Sequence, residues 1–331
     1  MEPSYTEIQS IWNWWDKLSA IAVRCAFRRM HYSVQPGLYA VNLPDPASPV
    51  FISANYKLSF DHLRRALNGI AAWILVLDTK GINVWCAAGK GTFGTEELIN
   101  RIDVVRLKDK VTHRQLIVPQ LGAPGVAAHK ILKQSGFRVI YGPVRARDIP
   151  RFLAANLEAD PEMRRVQFHL ADRLAVVPVE IIGSIKIAIV LALVFALIAS
   201  RRGGGWSLQH LYQDGLLAAV LVLFHYLTTS FLIPALLPWL PGRAFCVKGL
   251  SAGLVAWIIL CSIGLYTHTT DLVAWLVLFV TISAFMGLGF TGASTYTSLS
   301  GVKKETRMAI PWLIAGLLSS LVLWFWSCGM Y

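Results

Sequence analysis

Residues 72–94 read Ala-Trp-Ile-Leu-Val-Leu-Asp-Thr-Lys-Gly-Ile-Asn-Val-Trp-Cys-Ala-Ala-Gly-Lys-Gly-Thr-Phe-Gly, and the fold of the first half of the chain turns on them. The apolar run at 73–78 is a strand candidate, and the polar step from Asp78 to Gly81 is a turn. A second apolar run at 82–87 is expected as another strand, and a helix is expected over 95–101. Working outward, further short apolar runs at 38–42, 50–53, 104–107, 115–118 and 138–141 are strand candidates. Helical stretches are expected at 60–70, 125–136 and 150–156. Strands alternating with helices predict a Rossmann-like α/β domain with a mostly parallel sheet. A ligand of such a sheet sits over the carboxyl ends of the strands. The segments to watch are therefore 53–59, 79–81, 86–94, 119–125 and 141–145.

The stretch Gly89-Lys90-Gly91-Thr92-Phe93-Gly94 matches G-x-G-x-x-G. After a strand and before a helix, that pattern marks a dinucleotide site. Bulky Trp85 and reactive Cys86 precede it, and Asp103 and Asp109 come too early for the acidic ribose partner. It is not a Walker loop either, because Gly91 follows Lys90 where Ser or Thr is required. An amide-rich turn able to approach a large ligand or its phosphate remains. Cys86 is read as a small buried hydrophobe, a nucleophile, or a single thiolate ligand to a metal carried by a cofactor. His62, His113 and His129 are candidate bases, and no spacing singles one out.

The 331 residues are 55% hydrophobic and 15% charged, which excludes an ordinary soluble globule and a disordered chain. Residues 1–180 hold 23 Lys and Arg and 16 Asp and Glu, whereas residues 181–331 hold 8 and 3. The second half reads as bilayer, with five spans of about 20 residues at 181–200, 216–236, 245–266, 272–290 and 309–328. Lys186 lies near enough to a span end to snorkel. Trp239, Trp275, Trp312, Trp324 and Trp326 are expected at interfaces. Arg243 and Lys248 after span two, and Lys303, Lys304 and Arg307 after span four, outvote Arg201 and Arg202 after span one. The loop at 267–271 has neither Lys nor Arg. The soluble domain is thus expected in the cytoplasm and the C-terminus outside. His225 is expected to make a helix–helix hydrogen bond rather than a proton relay.

The expected organisation is an N-terminal amphipathic helix within 1–30, a ligand-binding domain over 31–160, a linker at 161–180 and an all-α membrane domain over 181–331. In the first segment Ile8, Trp12, Trp15, Leu18 and Ala22 are expected to share a helix face. Two placements are open for it, against its own domain or in the plane of the membrane interface. No signal peptide is expected. The five cysteines at 25, 86, 246, 261 and 328 form no C-x-x-C pair, so neither a disulfide framework nor a cluster site is expected. No nucleic-acid motif accompanies the positive charge, and nucleic acid is not an expected partner.

The run Asn83-Val84-Trp85-Cys86-Ala87-Ala88-Gly89-Lys90 resembles the signature of the mercury-methylating corrinoid proteins, the HgcA family. The runs at 54–59, 120–125 and 141–146 resemble the same family. The soluble part also resembles the corrinoid-binding domain of the large subunit of the corrinoid iron–sulfur protein. The resemblance implies a cobalamin or related corrinoid, held base-off with Cys86 as lower axial ligand to cobalt. The absence of a D-x-H-x-x-G motif agrees with Cys-on ligation. By the same resemblance Asn83, Val84, Trp85, Ala87 and Ala88 shape the segment that presents Cys86. Gly89, Lys90, Gly91 and Thr92 would lie near the corrin or its tail. Asn55, Tyr56, Lys57 and Ser59, then Gln120, Leu121 and Gly122, then Tyr141, Gly142 and Val144, would line the pocket.

The implied activity is a corrinoid-dependent methyltransferase that passes a methyl group from cobalt to Hg(II), forming methylmercury. A methyltetrahydrofolate-type donor would supply the methyl. Cobalt must be re-reduced between turnovers, and the chain has no cluster-binding cysteine set. The resemblance implies a partner of the HgcB type, a ferredoxin-like protein with two 4Fe–4S clusters. Two alternatives stay open: a related membrane corrinoid methyl carrier with a different acceptor, and a membrane-anchored nucleotide-binding protein using the turn from Gly89 to Gly94.

Overall fold

A computed structural model describes residues 5–201, 205–262, 269–293 and 299–330. Arg202, Tyr266 and part of the expected loop at 267–271 lie outside the described residues. The chain divides into two compact units, one containing Phe27–Gln167 and the other running from Phe168 onward.

The first unit is built on a six-stranded sheet of β1 (Thr6–Ile8), β2 (Gly37–Val41), β3 (Val50–Ala54), β4 (Ala72–Leu77), β5 (Gln115–Val118) and β6 (Arg138–Tyr141). The order is β1-β2-β4-β3-β5-β6. Strands β4, β3, β5 and β6 run parallel, and β2 pairs antiparallel with β4. Helices α1 (Trp14–Arg24), α2 (Lys57–Ala66), α3 (Val84–Lys90), α4 (Thr95–Val104), α5 (Leu107–Lys110), α6 (Ala128–Ser135), α7 (Ile149–Ala154) and α8 (Pro161–Arg164) complete it. The two faces of the sheet carry separate cores. Val50, Ile52 and Leu75 pack on one side with Phe93, Leu98 and Ile131. Phe51, Ile74 and Val76 pack on the other with Phe60, Leu63 and Phe152. Consecutive residues of one strand thus enter opposite cores, which is why these strands read as unbroken apolar runs.

Five of the expected strands are present, but the runs at 82–87 and 104–107 are not strands. Residues 84–90 are helical because the Asn83 side chain caps the turn, its Oδ1 accepting the Cys86 N–H at 2.9 Å. Residue 104 closes α4, whose inward stripe of Leu98 and Ile102 continues into Val105, and Arg106 then turns left-handed at φ 50°. The shared face expected for Ile8 through Ala22 is also revised. Ile8 belongs to β1, and the helix begins only at Trp14.

In the second unit α9 (Leu170–Leu174) leads into α10 (Val177–Ala199), and α11 (Leu208–His210) precedes α12 (Leu216–Leu236). Helices α13 (Phe245–Ser262), α14 (Thr269–Ala293) and α15 (Leu299–Met330) follow. Among the described residues five helices are long and apolar enough to span a membrane. Helix α14 packs against α10, α12, α13 and α15. A Cβ on Gly287 would come within 2.4 Å of the Phe245 carbonyl oxygen, and one on Gly249 within 2.1 Å of that of Ser283. Glycine is what lets α13 and α14 approach this closely. His225 Nε2 lies 2.8 Å from Ser283 Oγ and 3.0 Å from the Phe279 oxygen, the interhelical role expected of it. Trp239, Trp312 and Trp326 are exposed, whereas Trp275 and Trp324 are buried against Phe195 within the bundle.

Candidate functional site

The chain leaves β3 through α2 to reach β4 on one side. It then crosses back over β3 through α3–α5 to reach β5 on the other. The topological switch therefore falls between β3 and β5, where open α/β sheets hold their ligands. A cleft of about 360 Å³ opens there. Its walls are Ser53, Ser59, His62 and Leu63 from β3 and α2, and Asn83, Val84 and Trp85 at the start of α3. Pro119 and Leu121 follow β5, and Gly142, Pro143 and Val144 follow β6. Segments from the ends of all four parallel strands thus meet, as the sheet rule required.

Cys86 is exposed on α3, beside the Trp85 and Val84 that line the cleft. The helix is anchored by its opposite face, where Ala87 and Ala88 are buried. Gly91, at φ 82°, ends it in the left-handed conformation that glycine adopts without strain. The thiol is presented outward on a short element fixed at both ends. The reading of Cys86 as a buried hydrophobe in a strand does not hold.

The expected pocket residues divide into two groups. Asn83, Val84, Trp85, Ser59, Leu121, Gly142 and Val144 line the cleft. Asn55 is buried and does not line the cleft. Its Oδ1 accepts from the Thr79 N–H at 3.1 Å, the Thr79 hydroxyl at 2.8 Å and the Gly81 N–H at 2.9 Å. Asn55 thereby fixes the turn that leads into α3. Asp78 belongs to the same turn, and the Lys80 N–H holds its carboxyl below the ordinary value. Tyr56 is buried and stacks edge-on with Tyr32.

Lys57 does not reach the cleft. It pairs with Asp61 at 2.5 Å and Asp16 at 3.1 Å, and Arg64 pairs with Asp16 at 2.7 Å and Asp61 at 2.8 Å. This cluster clamps α1 to α2. Burial works to raise the Asp16 pKa, but hydrogen bonds from Arg64 and Lys57 outweigh it and hold the carboxyl below its usual range. Burial likewise works to lower the Lys57 pKa, and Asp61 reverses that.

Gly122 and Gly125 serve packing. A Cβ on Gly122 would meet the Phe93 ring at 2.5 Å, and one on Gly125 would meet the Phe93 carbonyl oxygen at 2.1 Å. These glycines let the 120–125 segment press against the segment carrying Cys86. The Tyr141 hydroxyl donates to the Val126 carbonyl at 2.7 Å and does not line the cleft. Burial pushes its pKa up. His62, one of three histidines that spacing left equivalent, lies in the cleft wall, while His113 Nε2 is 2.9 Å from the Ser48 carbonyl oxygen. The position of His62 on α2, three residues after the cleft-lining Ser59, was the available signal.

The G-x-G-x-x-G match has a different context from the one it needs. Gly89 and Lys90 are in the last turn of α3, and Gly94 is the N-cap of α4. A helix rather than a strand precedes the turn, so the dinucleotide pattern loses its structural basis.

The residues fit a metal held by a macrocycle better than a metal held by protein alone. Among the described residues no three His, Cys, Asp or Glu side chains group around a metal position. One soft sulfur donor suits a single axial position on such a metal. Thr92 Oγ1 and Gln120 Oε1 are buried without a hydrogen-bond partner, one in the turn after α3 and the other beside Leu121 of the cleft. Orphaned polar atoms of this kind mark where a ligand's polar groups would be received.

Residues 25–153 match the family described as CO dehydrogenase/acetyl-CoA synthase delta subunit, and the match ends before the apolar helices. The acetyl-CoA decarbonylase/synthase complex subunit gamma of Archaeoglobus fulgidus is 35% identical over 130 residues, which are 39% of this chain and 27% of that protein. The corrinoid/iron-sulfur protein large subunit of Moorella thermoacetica is 30% identical over 126 residues, 38% of this chain and 28% of that protein. The chain thus spans under a third of the length of these curated relatives. The α/β unit is a domain related to the corrinoid/iron-sulfur protein large subunit, joined here to five apolar helices.

Proposed function

We propose that the α/β unit holds a corrinoid at the cleft, with the Cys86 thiolate as axial ligand, and that the protein transfers a methyl group to Hg(II). The observation that carries this reading is the exposed Cys86 thiol on a capped, core-anchored helix beside the strand-end cleft, inside the segment related to a corrinoid protein. When bound, the corrinoid supplies a cobalt centre able to accept and release a methyl group. The chain's own residues do the rest. Asn83 caps α3 and Asn55 fixes the turn before it, so the sulfur is held by rigid backbone. Val84, Trp85, Leu121 and Val144 give the cleft apolar walls. Thr92 and Gln120 offer unengaged oxygens to polar groups of the ligand.

Hg(II) as acceptor rests on the likeness of residues 83–90 to the mercury-methylating signature. A methyltetrahydrofolate-type donor and a ferredoxin-like partner with two 4Fe–4S clusters complete the proposed cycle. The five helices would hold the protein in the cytoplasmic membrane with the α/β unit in the cytoplasm, as the loop charges direct. A second reading is a related membrane corrinoid methyl carrier with a different acceptor, since one relative is by name a corrinoid/iron-sulfur protein and another a subunit of an acetyl-CoA decarbonylase/synthase complex.

The test is anaerobic. The full chain is reconstituted with corrinoid, reductant, partner and methyl donor, and methylmercury is quantified after Hg(II) is added. Product from wild type and almost none from Cys86→Ala is the expected result. A coloured protein that is methylated but leaves Hg(II) unchanged would select the other acceptor. A protein that takes up no corrinoid would overturn both.

A further inference from the structure

We infer that α1 is an in-plane membrane-docking helix, its outer face seated in the interface of an anionic bilayer. The helix has two unlike faces. Asp16, Ala20 and Val23, spaced four and three apart, face inward. Ala20 and Val23 are buried, and Asp16 is clamped to Arg64 and Lys57 of α2. Trp12, just ahead of the helix, donates its indole N–H to the Asp61 carbonyl at 2.8 Å. The opposite stripe is apolar and uncovered. Trp14 is 57% exposed, Trp15 63%, Leu18 49% and Ile21 59%, and Ile11 and Phe27 extend the patch at either end. The Trp14 and Trp15 rings lie 3.7 Å apart, so the two indoles form one surface. Both placements left open by the sequence are therefore served at once, one by each face.

A bilayer is the occupant these observations select. Tryptophan is the side chain enriched where apolar and wet environments meet. Lys17, Arg24, Arg28 and Arg29 supply positive charge along and just beyond the same helix, as an anionic headgroup layer requires. The same chain also carries five helices of membrane length, so the surface would be close at hand. The inference rests on reading those helices as spans. Recovery of the full chain in lipid nanodiscs tests that reading separately.

The experiment places an environment-sensitive fluorescent amino acid, by codon suppression, in place of Leu18. The full chain is held one copy per nanodisc of mixed phosphatidylglycerol and phosphatidylcholine. The same probe in place of Glu96, exposed on α4, is the control. Position 18 should emit to the blue of position 96 and lose most of its emission to nitroxide-labelled lipids, while position 96 keeps its own. The loss should weaken in phosphatidylcholine alone. Combining Trp15→Glu with Ile21→Glu should return position 18 to the behaviour of position 96. Equal emission and equal quenching at the two positions would overturn the inference. So would a blue shift at position 18 that requires a second copy of the chain or the ferredoxin-like partner, since the face would then be a protein interface.

Discussion

In the helical unit, His225, Tyr226, Lys248 and Trp324 each direct a side-chain polar atom to a carbonyl elsewhere in that unit. In the α/β unit the Cys86 thiol faces solvent, and Thr92 and Gln120 keep buried oxygens unengaged. The first pattern is what a low-dielectric surrounding demands, since a polar atom left unpaired there is costly. The second marks where a ligand's polar groups would be received, although Arg173 of α9 in the helical unit also keeps buried nitrogens without a hydrogen-bond partner. The difference that remains is the exposed Cys86 thiol beside the strand-end cleft, set against helices whose polar side chains mostly bond within their own unit.

The sharpest way to break this contrast is Cys86→Ala. The side chain is exposed, so stability should change by no more than about 0.5 kcal/mol, while methyl transfer should fall to background. A melting curve beside a product assay reads both. Loss of fold together with activity would remove the distinction between a chemical residue and a structural one.

Gly287→Leu should do the reverse. The added side chain would strike the Phe245 carbonyl, at a cost of about 1–3 kcal/mol or more by overpacking. Thermal aggregation in detergent should begin at lower temperature, with the α/β unit still able to take up corrinoid.

Asn55→Ala tests the link between scaffold and site. It strips the Thr79 and Gly81 donors of their acceptor, costing about 1–3 kcal/mol. Because that turn leads into α3, corrinoid affinity should weaken along with stability. Absorbance titration and chemical denaturation together check it.

The smallest effect is expected from Asp16→Asn. The folded pKa of Asp16 lies below its reference of 3.8. A depressed carboxyl pKa contributes stability that is present above the unfolded value and is lost as pH falls through the folded one. Wild type should therefore exceed the variant in stability near neutral pH. The gap should close below about pH 4, as denaturation across a pH series would show.

The parallel strands were legible because a strand buried on both faces is an uninterrupted apolar run, as at 50–54 and 72–77. The membrane-length helices were legible by length. Residues 82–87 misled because Ile-Asn-Val-Trp-Cys-Ala satisfies a strand pattern. The deciding feature is one side-chain hydrogen bond from Asn83, which periodicity does not register. Among the candidate site residues, Asn55, Lys57, Gly122 and Tyr141 do not line the cleft and instead make packing, hydrogen-bond or ion-pair contacts around it. A sequence gives the segment near a site and not the direction of each side chain.

The amino-acid sequence by itself determined that an α/β unit precedes five apolar helices, and that segments after the parallel strands meet at one cleft. Composition and periodicity act along the chain and need no partner. Only the tertiary structure decided that Cys86 stands on a helix, that His62 rather than His113 joins the cleft wall, and that α1 keeps a tryptophan face uncovered. The first turns on a local capping bond that periodicity does not register, and the other two depend on contacts between residues far apart in sequence, where burial outweighs local preference.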